Sequence, residues 1–269
     1  MTSSTETGSR ARVRDPARLL WPIAGVCWAG TTALILFGGD QFASHDQIIE
    51  HSTLPWAARI TVFLLIWTVM VGAMMLPTTV AMTRLLYAVS ARTPHPARAR
   101  GALLASYLAV WVGFGLVALA GDSGVHAMVD NWPWLNAHSG LVLAALLALA
   151  GAVQFSPVKD RCLTACRDPL SVLWQHYRPG VGAWRLGWHH ALNCLGCCWA
   201  LMLLMFGVGV GSLAWMAVLT AVMAAEKSTR WGKRLVVPAG VALLLYAVAE
   251  VLAVAGVQPF YPLLATHYS

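Results

Sequence analysis

The chain has 269 residues, 58% of them hydrophobic and only 11% Asp, Glu, Lys or Arg, with a net charge of +7 at pH 7. A soluble domain carries about 25% charged residues, so this composition, with a mean hydropathy of +0.65, excludes a water-soluble enzyme and a nucleic-acid binder. The apolar runs are continuous rather than alternating, which excludes a β-barrel and predicts an all-α, polytopic transmembrane helix bundle.

Residues 1–17 are polar and basic and are expected to form a disordered cytoplasmic leader. The transmembrane domain is expected over 18–257, as spans near 18–39, 57–80, 101–121, 137–156, 186–207, 209–226 and 235–257. Each is roughly 20 residues, enough at ~1.5 Å per residue to cross a ~30 Å hydrocarbon core. The first span follows a basic leader, but no A-x-A site comes after it and Cys27 is preceded by Val26, so it reads as a retained anchor. In the second span Pro77 should kink or end the helix. The fifth and sixth share one apolar stretch, Leu186 to Ala225. Gly207, Gly209 and Gly211 offer its turning point; a single continuous helix there would leave six spans. Residues 258–269 are expected to form a short outer tail.

Seven spans place seventeen of the eighteen Lys and Arg residues on one side, with Arg59 alone on the other. The opposite loops carry Asp40, Asp46, Glu50, Asp122 and Asp130. The positive-inside rule then puts the N-terminus in the cytoplasm and the C-terminus outside, in a cytoplasmic membrane. Trp56, Trp132 and Trp134 on the outer side, with Trp21, Trp184, Trp188 and Trp231 on the inner side, suit two interfacial belts.

Five of the six cysteines fall between 162 and 198. Cys162 and Cys166 lie in the inner segment 157–185, where Pro157 can start a helix and Asp168-Pro169 can interrupt it; their spacing of four puts both sulfurs on one helical face. Cys194, Cys197 and Cys198 follow His189 and His190. At 100° per residue His190, Cys194, Cys197, Cys198 and Met205 fall within roughly 100° of arc, with His189 displaced from it. Thiolate and thioether ligands are soft and suit Cu(I); thiolate with imidazole also suits Zn(II). A lone cysteine in a membrane helix ordinarily packs as a small apolar side chain. Three in five positions with a histidine one turn earlier point instead to a metal, copper first and zinc next. Met70, reaching the same layer from the second span, Met74, Met75 and the displaced His189 are secondary candidates, although methionines in apolar helices are more often core. Glu250, an acid inside the last span, and Glu226, beside Lys227 at an inner helix end, are candidates of the same rank. Against ligation, Glu226 reads as half of an interfacial ion pair. Gln154 is placed to hydrogen-bond between helices, and His45, His51, His126 and His138 fall in outer loops as solvated residues.

The pieces Ala73-Met74-Met75-Leu76-Pro77, Cys162-Leu163-Thr164-Ala165-Cys166-Arg167 with Asp168-Pro169-Leu170, and Asn193-Cys194-Leu195-Gly196-Cys197-Cys198-Trp199-Ala200-Leu201-Met202, followed by Trp215-Met216-Ala217 and Glu226-Lys227, carry a resemblance. On these the chain resembles a bacterial family of predicted metal-binding integral membrane proteins of unestablished function. The Cys-x-x-Cys-Cys-Trp-Ala run is its specific part. The resemblance implies metal ligation by Cys162, Cys166, Cys194, Cys197 and Cys198.

The reading that follows is a metal-binding protein of the bacterial inner membrane, for metal handling or for support of a membrane oxidase or oxygenase. His190, Cys194, Cys197 and Cys198 are its primary ligands and Cys162 with Cys166 an inner relay pair. Its partners are the lipid bilayer and a metal-delivery or membrane protein, not nucleic acid. A membrane thiol–disulfide oxidoreductase using Cys194-x-x-Cys197 is the alternative, and a purely structural subunit the third. No G-x-x-x-x-G-K-[ST] run is present, which excludes an ATP-driven pump on this chain.

Overall fold

A computed structural model describes residues 16–37, 54–91, 95–178, 182–209 and 212–257. The expected leader 1–17, apart from its last two residues, the tail 258–269 and the outer-loop His45 and His51 lie outside the described residues. Every regular element among the described residues is helical. After a 3-10 turn, Pro16–Leu19, come α1 (Leu20–Phe37), α2 (Trp56–Met75), a second 3-10 turn (Leu76–Thr79), α3 (Val80–Ser90) and the long α4 (Pro96–Asn131). The one-turn α5 (Pro133–Asn136) leads to α6 (Gly140–Gln154), then α7 (Pro157–Arg167), α8 (Pro169–His176), α9 (Gly182–Gly207), α10 (Leu213–Ser228) and α11 (Gly232–Val254).

Local chemistry explains the breaks. Pro77 lacks the N–H that would continue α2, and the chain passes through a 3-10 turn before α3 resumes. Ser156 caps α7, its hydroxyl accepting from the Lys159 N–H, with Pro157 at the first helical position. Asp168 ends α7 and caps α8, its carboxylate accepting from the Ser171 N–H at 3.2 Å. The segment expected as an inner loop is therefore two short helices, and α7 leaves α6 at 64°. Past α9 the chain turns at Gly209, whose φ of +84° needs no Cβ. Gly207, at the end of α9, is also a packing position: a Cβ there would meet Leu146 Cδ1 at 2.7 Å.

Among the described residues five helices are long and apolar enough to cross a membrane, or six if the bent pair α6–α7 counts as one span. α10 has 16 residues, ~24 Å at 1.5 Å per residue, which is why the count stops short of the seven spans expected. α9 is the hub, packing on α4, α6, α7, α8 and α10. In α9 61% of the apolar window is buried, against 11% in α1, so α9 is the central helix and α1 a peripheral one. Its approach to α4 is close because Gly187 leaves no Cβ to strike Ser106 and the Leu103 backbone. Trp67 anchors α2 to α4, its indole N–H donating to the Trp111 carbonyl at 2.8 Å and its ring lying where a Cβ on Gly115 would fall.

Outside the bundle, Val237, Val241, Leu245 and Val248 form an exposed apolar stripe along α11. Trp21, Trp56, Trp132, Trp134, Trp184, Trp188 and Trp231 are all exposed. Such a surface is unsuited to water and compatible with lipid.

Candidate metal centre

α9 buries His190, Cys194, Cys197 and Cys198 on the side that faces its neighbours. Cys194 is the middle of the group. Its sulfur lies 3.0 Å from the Tyr107 hydroxyl of α4, and Lys227 Nζ of α10 donates to it at 3.0 Å. The same ammonium reaches Cys198 Sγ at 3.6 Å and Met75 Sδ, at the end of α2, at 3.7 Å. Cys198 Sγ and Met75 Sδ are 4.0 Å apart. Four helices thus meet at two thiols, a thioether, a phenol and an ammonium.

Cys197 lies on the flank of the group nearest α7. Its sulfur is 3.9 Å from Cys166 Sγ, on the last turn of α7. Cys162, one turn earlier, packs where Gly196 has no side chain; a Cβ there would lie 2.5 Å from Cys162 Sγ. The four-residue spacing turns both thiols of α7 towards α9, Cys166 onto the Cys197 sulfur and Cys162 onto Gly196. Cys166, Cys194, Cys197 and Cys198 thus form one contiguous group of sulfurs, with Cys166 its least buried member. All six cysteines are free.

Among the described residues, no three or more His, Cys, Asp or Glu side chains are arranged as a ready-made metal site. The geometry gives the reason. Cys197 and Cys198 point their thiols at the Cys194 carbonyl, at 3.1 and 2.7 Å, and Lys227 Nζ lies amid the sulfurs of Cys194, Cys198 and Met75.

His190 is buried and stacked on Tyr107, with ring centroids 5.7 Å apart. Among the described residues neither of its ring nitrogens has a hydrogen-bond partner. A buried imidazole without partners is costly, so a ligand on either nitrogen would offset that cost. His189 turns away, its ring 3.8 Å from that of His176 on α8.

Of the methionine candidates, Met75 joins the cluster while Met70 and Met74 are buried in the hydrophobic core. Met75, at the end of α2, is the methionine in sulfur contact with Cys198, and Met70 lies ~7.5 Å back along the axis in the same buried cluster as the cysteines.

Glu226 is engaged elsewhere. Its carboxylate accepts from Lys159 Nζ at 2.7 Å and from Gln154 Nε2 at 3.2 Å, and its carbonyl accepts from Arg167. The ion pair expected for it exists, but it is buried, with both side chains 2% exposed, and it binds α10 to α7. Glu250 is buried on α11, roughly 27 Å along that helix from its Gly232 end, and is not part of the cluster. His126 contacts Asp122, and His138 stacks on Trp134. Cys27 packs against Gly72 of α2.

Two members of the cluster escaped the sequence reading. Tyr107 has no motif around it. Lys227 stands at a helix end, where a lysine ordinarily extends to the interface; its only signal was its place in the Glu226-Lys227 piece of the resemblance.

The family model for PpoB2, described as a copper chaperone, matches residues 64–250. The chain belongs to this family. The matched stretch runs from α2 into α11 and includes every residue of the sulfur cluster. Membership of the PpoB2 family agrees with the metal-related resemblance and points to copper, the ion that soft sulfur donors favour. No curated protein and no solved structure matches the chain.

Proposed function

We propose that this chain is an integral membrane copper chaperone that takes Cu(I) onto Cys194, Cys198 and Met75 inside the bundle and passes it through Cys197 and Cys166. The observation that carries this reading is the meeting of those sulfurs, from α2, α7 and α9, in a chain of a copper chaperone family. Thiolate and thioether donors suit Cu(I), and the family match favours copper over zinc. His190, buried beside the site with two unpaired nitrogens, is the further donor. Sulfurs spaced as these are let the ion move by ligand exchange, each new sulfur binding before the last lets go. Cys166, half-buried at the end of α7, is the handover point to an acceptor such as a copper-requiring membrane oxidase or oxygenase. Cys162 supports that helix against Gly196.

The test is copper content of the detergent-purified full chain, loaded with Cu(I) under anaerobic conditions, beside a variant carrying Cys194→Ser, Cys197→Ser and Cys198→Ser. About one copper per chain, lost in the variant, is expected for a dedicated soft-ligand site. A wild-type protein that keeps no copper, or a variant that keeps all of it, overturns the reading.

The membrane placement belongs to the same proposal. Seven spans, with α10 a short one accommodated by tilt of its neighbours or local thinning of the bilayer, leave the N-terminus and the basic loops in the cytoplasm and the C-terminus outside. Alkaline phosphatase fused after Ser269 is then active in a bacterial host, and a fluorescent protein at the same point is dark. The reverse pattern removes one span and closes the reading in favour of six.

A further inference from the structure

Methionine is concentrated where the cysteines are. Among the described residues, seven of the chain's ten methionines, from α2, α9 and α10, lie in the one buried cluster that holds Cys194, Cys197 and Cys198. Leucine, far commoner in the sequence, supplies no more residues to that cluster. Of these methionines only Met75 has a part in the copper site above.

Side-chain contacts fix how the three helices line up. Met75 Sδ of α2 lies 4.0 Å from Cys198 Sγ of α9. Eight residues away on each helix Trp67 and Phe206 meet again, with ring centroids 5.7 Å apart. α2 and α9 therefore run antiparallel between these two levels. Met70 of α2 and Met202 of α9 fall between them, roughly 6–7.5 Å from the thiols by helical rise. α10 returns along α9 after the turn at Gly209, and its Lys227 touches Cys194 and Cys198. Met223, four residues before Lys227, is on the same face of α10 and one turn further from the thiols, just as Met202 is one turn beyond Cys198. Met70 is 2% exposed, and Met202 and Met223 are 0% exposed. Three thioethers from three helices thus share one level, with thiols on one side of it and the rings of Trp67 and Phe206 on the other.

We infer that Met70, Met202 and Met223 form a second seat for a soft monovalent ion, Cu(I), adjoining the thiol cluster. The inference extends the copper-site reading above and rests on it. A thioether has no proton to lose and carries no charge, so this donor set is the same whatever the protonation of the cysteines or of Lys227. Neutral soft sulfur suits Cu(I), whereas Zn(II) takes thiolate, imidazole or carboxylate. Without charge the seat holds its ion more weakly than thiolates do and fills after them. The unbranched methionine side chains can close on an ion without backbone movement. Because aromatic rings fill the far side, the seat exchanges with the thiol cluster and serves as a reserve: its ion moves onto Cys198 and Met75 when the first leaves.

The experiment titrates the detergent-purified full chain, labelled with [methyl-13C]methionine, with Cu(I) under anaerobic conditions and follows the methyl resonances by NMR. Met70→Leu, Met75→Leu, Met202→Leu and Met223→Leu assign the signals, and leucine conserves the volume, so the fold tolerates it. The first equivalent of Cu(I) is expected to shift Met75, and the second to shift Met70, Met202 and Met223 together. Excess Zn(II) shifts none of these three. In the double variant Met202→Leu, Met223→Leu the first equivalent still shifts Met75, which also reports an intact fold, and the second phase is lost. If the first equivalent binds and the three signals then stay still, or if the double variant keeps the second phase, the inference fails while the copper site stands. If Met75 does not move and the chain retains no copper, the copper-site reading falls and the inference with it.

Discussion

Cys194→Ser lowers Cu(I) affinity by at least about a hundredfold, while Cys162→Ser changes it by no more than about threefold, on the scale that separates a metal ligand from its distant supports. Cys194 is the sulfur on which the cluster converges. It touches Tyr107 and Lys227 at 3.0 Å each, it is 1% exposed, and its own carbonyl receives the thiols of Cys197 and Cys198. Serine preserves the size and the hydrogen bonds but offers a hard oxygen to a soft ion. Cys162 is lodged against Gly196, so its loss removes packing and little else. Competition titration with bicinchoninate gives both numbers. Equal losses in the two variants would mean that α7 supplies ligands throughout its length. No loss in Cys194→Ser would move the site away from α9.

Lys159→Met is the substitution expected to harm the fold most. It leaves Glu226 as a buried carboxylate whose remaining partner is Gln154 at 3.2 Å. Breaking one side of a buried ion pair costs about 3–5 kcal/mol, because the surviving charge is stranded. Glu226→Leu strands the ammonium instead and carries a similar cost. Combining Lys159→Met with Glu226→Leu removes both charges and recovers most of the loss. Thermal unfolding of the purified variants, followed by helical circular dichroism, measures the three values. A double variant as unstable as the sum of the singles would show that the pair is not coupled. The exposed Lys233–Asp160 pair, at 3.0 Å between α11 and α7, serves as a control; exposed pairs contribute little.

Much of this architecture was legible in the sequence because apolar run length is a strong signal for helices that face lipid or one another. Pro77, Pro157, Asp168 and Gly209 marked real boundaries, since each alters what the backbone can donate or adopt. The i, i+4 spacing of Cys162 and Cys166 correctly gave them a common face. What remained hidden was long-range: that Met75 and not Met70 meets Cys198, that Glu226 pairs with a lysine 67 residues earlier, and that Lys227 turns inward. These depend on where helices cross, which one-dimensional periodicity does not encode. Seventeen cations on one side set an expectation for the membrane frame, yet the same count concealed that two of them, Lys159 and Lys227, leave the interface for the protein interior.

Glu226 and Lys227 are consecutive, and consecutive side chains on a helix point ~100° apart. One holds α7 through Lys159, and the other touches the thiols of α9. The final turn of α10 therefore contacts both helices that carry the cysteines, and a displacement of that turn would alter the ammonium–thiol contacts on α9 and the ion pair to α7, the helix bearing Cys166, together.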